Sequence, residues 1–260
     1  MIINIHAHIR EGDDPAKRIQ YYIAPAVEKV CFHGDNSLAM QALKLAEDFV
    51  IPVAEERLEE IKPADVVALK REGFRGIHFS ASPLPYDDEE YFPLYEKMEE
   101  VGLPALFRTG HMRGGAKCRI EHSRPTCLDT IARFFPGLHI VGSQLGSPWF
   151  FEAMAAMLYN QRVYFDMSGG VLRGLPLSWL RLIFMFKDVY LLPGGIRHRM
   201  HDESINQDIF RKLVFGTGAP QPEIVEGFYR DIFQSFNIPV AVQADVLWGN
   251  AARMLGVAEK

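Results

Sequence analysis

The chain has 260 residues, 48% of them apolar and 23% charged, a balance that excludes a disordered or collagen-like chain. At about 150 residues per domain the length fits one large domain or two small ones, and it suffices for a closed α/β barrel of about 250 residues. With 28 basic against 33 acidic residues and a net charge of −5, no domain-wide positive surface points to nucleic acid.

The first expected strand is Ile2–Ile9, and it carries His6-Ala7-His8. A strand over residues 29–32 follows, then an amphipathic helix over 37–48 with apolar residues near period 3.6. Next come a strand at 49–53 and a helix over 63–72 that Pro63 opens as a first-turn proline. The strand at 76–80 precedes a helix over 87–101 whose acidic start suits the positive end of the helix dipole. A strand at 104–109, a helix over 124–135, a strand at 138–144 and a helix over 149–160 continue the alternation. Strands at 162–168 and 213–217 bracket a long segment, 169–211, expected to pass over the end of the seventh strand; a helix over 223–236 follows the eighth.

Alternating strand and helix favours a parallel sheet, and eight such units favour a single (β/α)8 TIM-type barrel over residues 1–260. An open doubly wound sheet would normally show a glycine-rich phosphate loop after its first strand, and Ile5-His6-Ala7-His8-Ile9 has no glycine. No low-complexity linker or charge block divides the chain. Cys31, Cys118 and Cys127 are scattered, without CxxC spacing, which suggests neither a disulfide framework nor a zinc knuckle and suits a reducing, cytoplasmic setting. No signal peptide is expected at the N-terminus. The greasiest stretch, residues 175–192, is broken by Arg181, Lys187 and Asp188, so no membrane span is expected.

Residues two apart on a strand share a face, so His6 and His8 converge if that face is the barrel interior. Neutral imidazole is a common metal ligand, and the pair is a candidate metal site if a metal is bound.

From this strand onward the chain resembles the amidohydrolase-related branch of the metal-dependent hydrolases, which includes zinc decarboxylases and lactone hydrolases. After His6-Ala7-His8, the resemblance is carried by residues 73–78 (GFRGIH), 104–110 (PALFRTG), 135–141 (FPGLHIV) running to 144–146 (QLG), 163–168 (VYFDMS), 214–220 (VFGTGAP) and 248–253 (WGNAAR). The resemblance implies an amidohydrolase-like barrel with its site at the C-terminal mouth and hydrolase or decarboxylase ancestry. It also implies metal donors on strand 1, on strand 5, often on strand 6, and an aspartate on strand 8. Here the strand-5 position is Arg108, the strand-6 position Gln144 and the strand-8 position Gly218. Glycine neither ligates nor takes a proton, and arginine, permanently protonated, repels a divalent cation.

Three readings follow. In the first, the metal site is degenerate, no cofactor is held, and the mouth binds a small anionic molecule, a carboxylate or phosphate. Arg108 then supplies the positive charge, with His6, His8 and Gln144 around it. In the second, an active hydrolase or carbon–carbon lyase holds one divalent metal such as zinc in a rearranged site built on His6 and His8, with His111 or His78 as further donor. His111 is equally a loop residue and His78 a strand residue of unknown facing. In the third, the scaffold serves a non-catalytic interaction. Asp166 reads as structural or as orienting a histidine. His198 and His201, three apart in the long segment, read as solvated surface or as part of a lid. The sequence leaves substrate and oligomeric state open.

Overall fold

The computed structural model describes residues 1–23, 27–110, 118–169, 174–187, 204–219 and 221–258. Eight strands run parallel around one axis. β1 (Ile2–Ile9) pairs with β2 (Val27–Gly34), and β2 pairs with the first half of β3 (Val50–Pro52). The second half of β3 (Ala54–Glu56) pairs with β4 (Ile77–Phe79), so one strand serves both neighbours at staggered heights, the shear a closed barrel requires. The ladder continues through β5 (Ala105–Phe107), β6 (Ile140–Gly142), β7 (Val163–Asp166) and β8 (Leu213–Val214).

Closure falls between β8 and β1. The Ile5 N–H donates to the Phe215 carbonyl at 2.9 Å, and the Gly218 N–H to the His6 carbonyl at 2.7 Å. Buried Asn4 clamps the seam. Its Nδ2 donates to Thr217 Oγ1 at 2.9 Å, and its Oδ1 accepts from the backbone N–H of Thr217 and of His6.

Hydrophobic alternation places the two cores. Ile3, Ile5, Cys31, Ile51, Val53, Leu106, Val141 and Val214 pack together as the filling of the barrel, with Trp248, Ala251 and Leu255 against them. The opposite faces, Phe79, Phe107, Phe165 and Phe215 among them, pack outward against the helices, including Tyr95, Met154 and Tyr229. The chain end is tied in by Asn250, whose Nδ2 donates to the carbonyls of Arg211 and Leu213, each at 2.8 Å.

β1 departs from simple alternation. Its register against β2 shifts between Asn4 and Ala7, where three steps on β1 match two on β2. Such a bulge re-aims the side chains beyond it. Ile3 and Ile5 therefore join the barrel filling, yet His6 and His8 both line the cavity at the mouth.

The expected helix at 63–72 is observed as Pro63–Glu72, and those at 37–48, 124–135, 149–160 and 223–236 fall within three residues of expectation at each end. The segment expected over 87–101 opens with a short 3-10 turn, Glu89–Tyr91, before the helix Phe92–Val101. Periodicity did not mark the helix Pro15–Tyr22, which is two turns long and rests on Asp14 accepting from the N–H groups of Ala16 and Lys17. Nor did it mark the helical run from Val240 to Leu255. In the long segment after β7, the helix Leu177–Phe184 packs on the barrel wall. There the Phe184 ring lies 4.3 Å from Phe210 and 6.3 Å from Phe236, so this part is wall and not cover. His198 and His201 lie outside the described residues. No helix among the described residues is long and apolar enough to cross a membrane, and all three cysteines are free.

Two substitutions test this packing. A Cβ on Gly142 would stand 2.2 Å from Cε1 of the fully buried Phe165 ring across the ladder. Gly142→Ala should destabilise the fold by about 1–3 kcal/mol, as overpacking does, read as a lowered denaturation midpoint with unchanged m-value. Asn4→Ala leaves the buried Thr217 and His6 N–H groups without their acceptor. Its expected cost is about 1–3 kcal/mol per unsatisfied group, read by the same denaturation.

Candidate active site

The polar residues gather where the strands end. β1 brings His6 and His8, β2 His33, β3 Glu55 and β4 His78; Arg108 follows β5, Gln144 follows β6, Asp166 ends β7 and Gly218 lies beyond β8. On each of β2, β3, β5 and β7 the polar residue lies two places beyond a residue that packs in or against the barrel filling: Cys31, Val53, Leu106 and Tyr164. Period-2 alternation therefore turns it inward one layer higher. His6, His8, Glu55, His78, Arg108 and Gln144, with Arg10, Gly34 and Ser80, line a cavity of about 310 Å³. A depression of similar size, about 320 Å³, lies at the opposite end among Arg75, His139 and Arg162, which precede their strands. Barrel enzymes work at the C-terminal face, which singles out the mouth.

Four imidazoles crowd one side of this cavity. The His33 and His78 rings lie 4.0 Å apart, inclined by only 32°. His8 lies 4.5 Å from His33, and His6 lies 4.9 Å from His33 and 5.7 Å from His78. Two carboxylates hold three of the rings. Glu55 Oε2 meets His78 Nδ1 at 2.7 Å and His33 Nδ1 at 3.1 Å. Asp166 Oδ2 meets His6 Nδ1 at 2.8 Å, while its Oδ1 accepts from the backbone N–H of Gln144 and of Ser168. Gly216 makes room for Asp166, since a Cβ there would sit 2.9 Å from its side chain.

Burial alone would raise the Glu55 carboxyl, but His78 and His33 outweigh it and hold the group well below the usual carboxylate range. Burial likewise opposes ionisation of Asp166, and His6 together with the hydrogen bonds reverses the balance, lowering it. Both carboxylates are therefore acceptors only, and each imidazole Nδ1 facing them is the donor. His33, fully buried and beside His78, is pushed down to about 3 despite Glu55, so it is neutral near pH 7. His8 is pushed far down by burial and by its neighbours His33, His6 and His78. With Nδ1 committed, His33 and His78 each keep a buried Nε2 that has no hydrogen-bond partner among the described residues.

Arg108 lies at the end of β5, the strand next to the one that carries His78. Its backbone is pinned, the N–H donating to the Phe79 carbonyl and the carbonyl accepting from Tyr86 Oη at 2.9 Å. Among the described residues its half-buried guanidinium has neither an ion pair nor a hydrogen bond. Gln144 and Leu145 turn the chain at the mouth with φ of 59° and 50°, a left-handed conformation costing about 1–3 kcal/mol per residue. The hydrogen bond from the Gln144 N–H to Asp166 helps to hold it.

Of the residues expected from sequence, His6, His8, His78, Arg108 and Gln144 meet around one cavity, with Asp166 behind His6. His111 lies outside the described residues. His33 and Glu55 were missed. The second and third strands were expected to end at residues 32 and 53, one and two residues short of them. The available signal was parity: His33 is two beyond Cys31, and Glu55 two beyond Val53. The donor set that the family resemblance implies does not fit here, because Arg108 and Gly218 stand at two of its positions and Gln144 at a third.

Comparison with known proteins agrees with this architecture. An uncharacterised TIM-barrel protein from Bordetella bronchiseptica superposes with a TM-score of 0.68 at 20% identity, covering 98% of each chain. A 2,6-dihydroxybenzoate decarboxylase solved with 2,6-dihydroxybenzoate gives 0.69 at 12% identity over 98% of this chain and 99% of that one. A dihydroxybenzoic acid decarboxylase from a Polaromonas species, solved with manganese and 2-nitroresorcinol, gives 0.66 at 13% identity over 100% and 98%. At such identities these likenesses show a shared TIM-barrel fold. No curated protein matches the chain. The amidohydrolase family profile, in contrast, matches residues 6–257, nearly the whole length, and the chain belongs to the amidohydrolase family.

Proposed function

We propose that this amidohydrolase-family chain takes a small carboxylate-bearing molecule into the barrel mouth, with Arg108 as the anchor of the carboxylate. The observation that carries the reading is the charge balance of the cavity. Glu55 in its lining and Asp166 behind His6 are each tied to imidazoles, while the Arg108 guanidinium has neither an ion pair nor a hydrogen bond among the described residues. A half-buried charge without a partner is costly, and an incoming anion removes that cost. The planar fork of a guanidinium suits two-point binding of a carboxylate.

Size and lining agree. A cavity of about 310 Å³ is at the small end of ligand sites, which run from about 300 to 1,000 Å³. The two decarboxylases of like fold act on dihydroxybenzoates, which are single-ring carboxylates. Arg10 adds a second positive group at the rim. Gln144 offers an amide donor and acceptor, and His8 a neutral imidazole, to the rest of the ligand. His8 is too weakly basic to act as a general base near pH 7, so its part is hydrogen bonding.

Calorimetric titration with benzoate and hydroxybenzoates checks this. Binding should be seen with the wild-type chain, and Arg108→Ala should weaken it by about 2–5 kcal/mol, the usual cost of removing one partner of a buried charge pair. Arg108→Ala with unchanged affinity for every carboxylate and phosphate tried overturns the reading.

A further inference from the structure

We propose that His6, His33 and His78 form a binding site for one divalent transition-metal ion of the zinc class, displaced from the position the family's donor pattern implies. The inference deepens the carboxylate-binding reading only in that both use the same cavity. One ligand nitrogen from each of the three residues lies within 4.8 Å of the others, and all three side chains are buried. A zinc ion holds imidazole nitrogens at about 2.0–2.1 Å, hence roughly 3.4 Å apart in a tetrahedron, so closing the cluster asks for shifts of about 1 Å or less.

Three independent features point to an ion. The first is the orphaned donors: Nε2 of His33 and of His78 are buried and unpartnered among the described residues, although such atoms are ordinarily satisfied. The second is orientation. Metal-bound histidines usually give their other ring N–H to a carboxylate or carbonyl, which fixes the tautomer. Here Glu55 receives both His33 Nδ1 and His78 Nδ1, and Asp166 receives His6 Nδ1. Each ring is thereby left its Nε2 lone pair. The third is charge: the carboxylates of Glu55 and Asp166 stand behind the rings, and among the described residues neither is paired with a lysine or an arginine, which favours a cation beside them. An all-imidazole donor set suits zinc, cobalt, nickel or copper and not calcium or magnesium, which take oxygen.

The arrangement differs from a strand-1 pair completed by strands 5 and 8. His6 is shared, but the other two donors come from β2 and β4, and β4 is the strand that pairs with β5, which Arg108 follows. His8, 4.5 Å from His33, lines the cavity beside the cluster.

The test uses the full chain, stripped with chelator, dialysed and titrated with cobalt(II). The visible ligand-field bands and calorimetry are read together. One equivalent should bind. His33→Gln and His78→Gln should each abolish the bands or weaken binding more than tenfold. Glu55→Gln, which keeps the shape and all three ligands, should weaken it about 10–100-fold, the usual effect of losing such a supporting group. Circular dichroism melting of each metal-free variant reports folding, and Glu55→Gln remains decisive if a histidine variant does not fold. The proposal is overturned if no stoichiometric cobalt binds. It is also overturned if binding depends on His6 and His8 while His33→Gln, His78→Gln and Glu55→Gln leave it unchanged. Benzoate titration of the metal-free chain separates the two readings. Carboxylate bound through Arg108 without cobalt binding overturns the metal site alone, and cobalt bound without any Arg108-dependent anion overturns the anchor alone.

Discussion

The arrangement at the mouth turns on one oxygen. Glu55 Oε2 accepts from the Nδ1 atoms of both His33 and His78, and this shared contact joins β2, β3 and β4 in one layer. An ionised carboxylate has lone pairs only, so it imposes the same tautomer on both rings. The two ring centroids lie 4.0 Å apart. The committed Nδ1 atoms, and hence the orphaned Nε2 atoms, follow from this contact, while the depressed basicity of His33 comes from burial and from His78 and is opposed by Glu55.

A second contact repeats the device on the far side of β1. Asp166 holds His6 with one oxygen and, with the other, the backbone of Gln144 and Ser168. Its carboxylate thus sets both the ring of His6 and the left-handed turn that brings Gln144 to the rim. Between them the two carboxylates hold three imidazoles at the mouth, while Arg108 brings a cation to the same cavity. The barrel gives polarity to a cavity above a largely apolar filling, because on β2, β3, β5 and β7 the polar residue stands two places beyond a residue in or against that filling.

The family pattern and the structure differ in an instructive way. The positions on β5, β6 and β8 where the family resemblance implies donors hold arginine, glutamine and glycine, while β2, β3 and β4 carry histidine, glutamate and histidine. Removing donors from one side of a barrel does not empty it of chemistry, since eight strand ends face the same space and any of them can present a side chain there. The bulge in β1 lets His6 and His8 serve that space although Ile3 and Ile5, of the other parity, fill the barrel below them.

The amino-acid sequence alone determined the alternation of strands and helices, the eight-fold count and hence the barrel, because hydrophobic period is a local property carried by each segment. It also determined that His6, His8, Arg108 and Gln144 belong at one end, through the order of the motifs around them. Only the tertiary structure decided that His33 and Glu55 join them. β2 and β3 carry weak local signals in the sequence, and their last inward residues lie just past where periodicity fades. Which of those residues meet depends on register between strands far apart in the chain. His33 and Glu55 are 22 residues apart, and His6 and Asp166 are 160 apart. No spacing in the sequence encodes those meetings; the stagger of a closed parallel barrel does, by setting the height at which each strand ends.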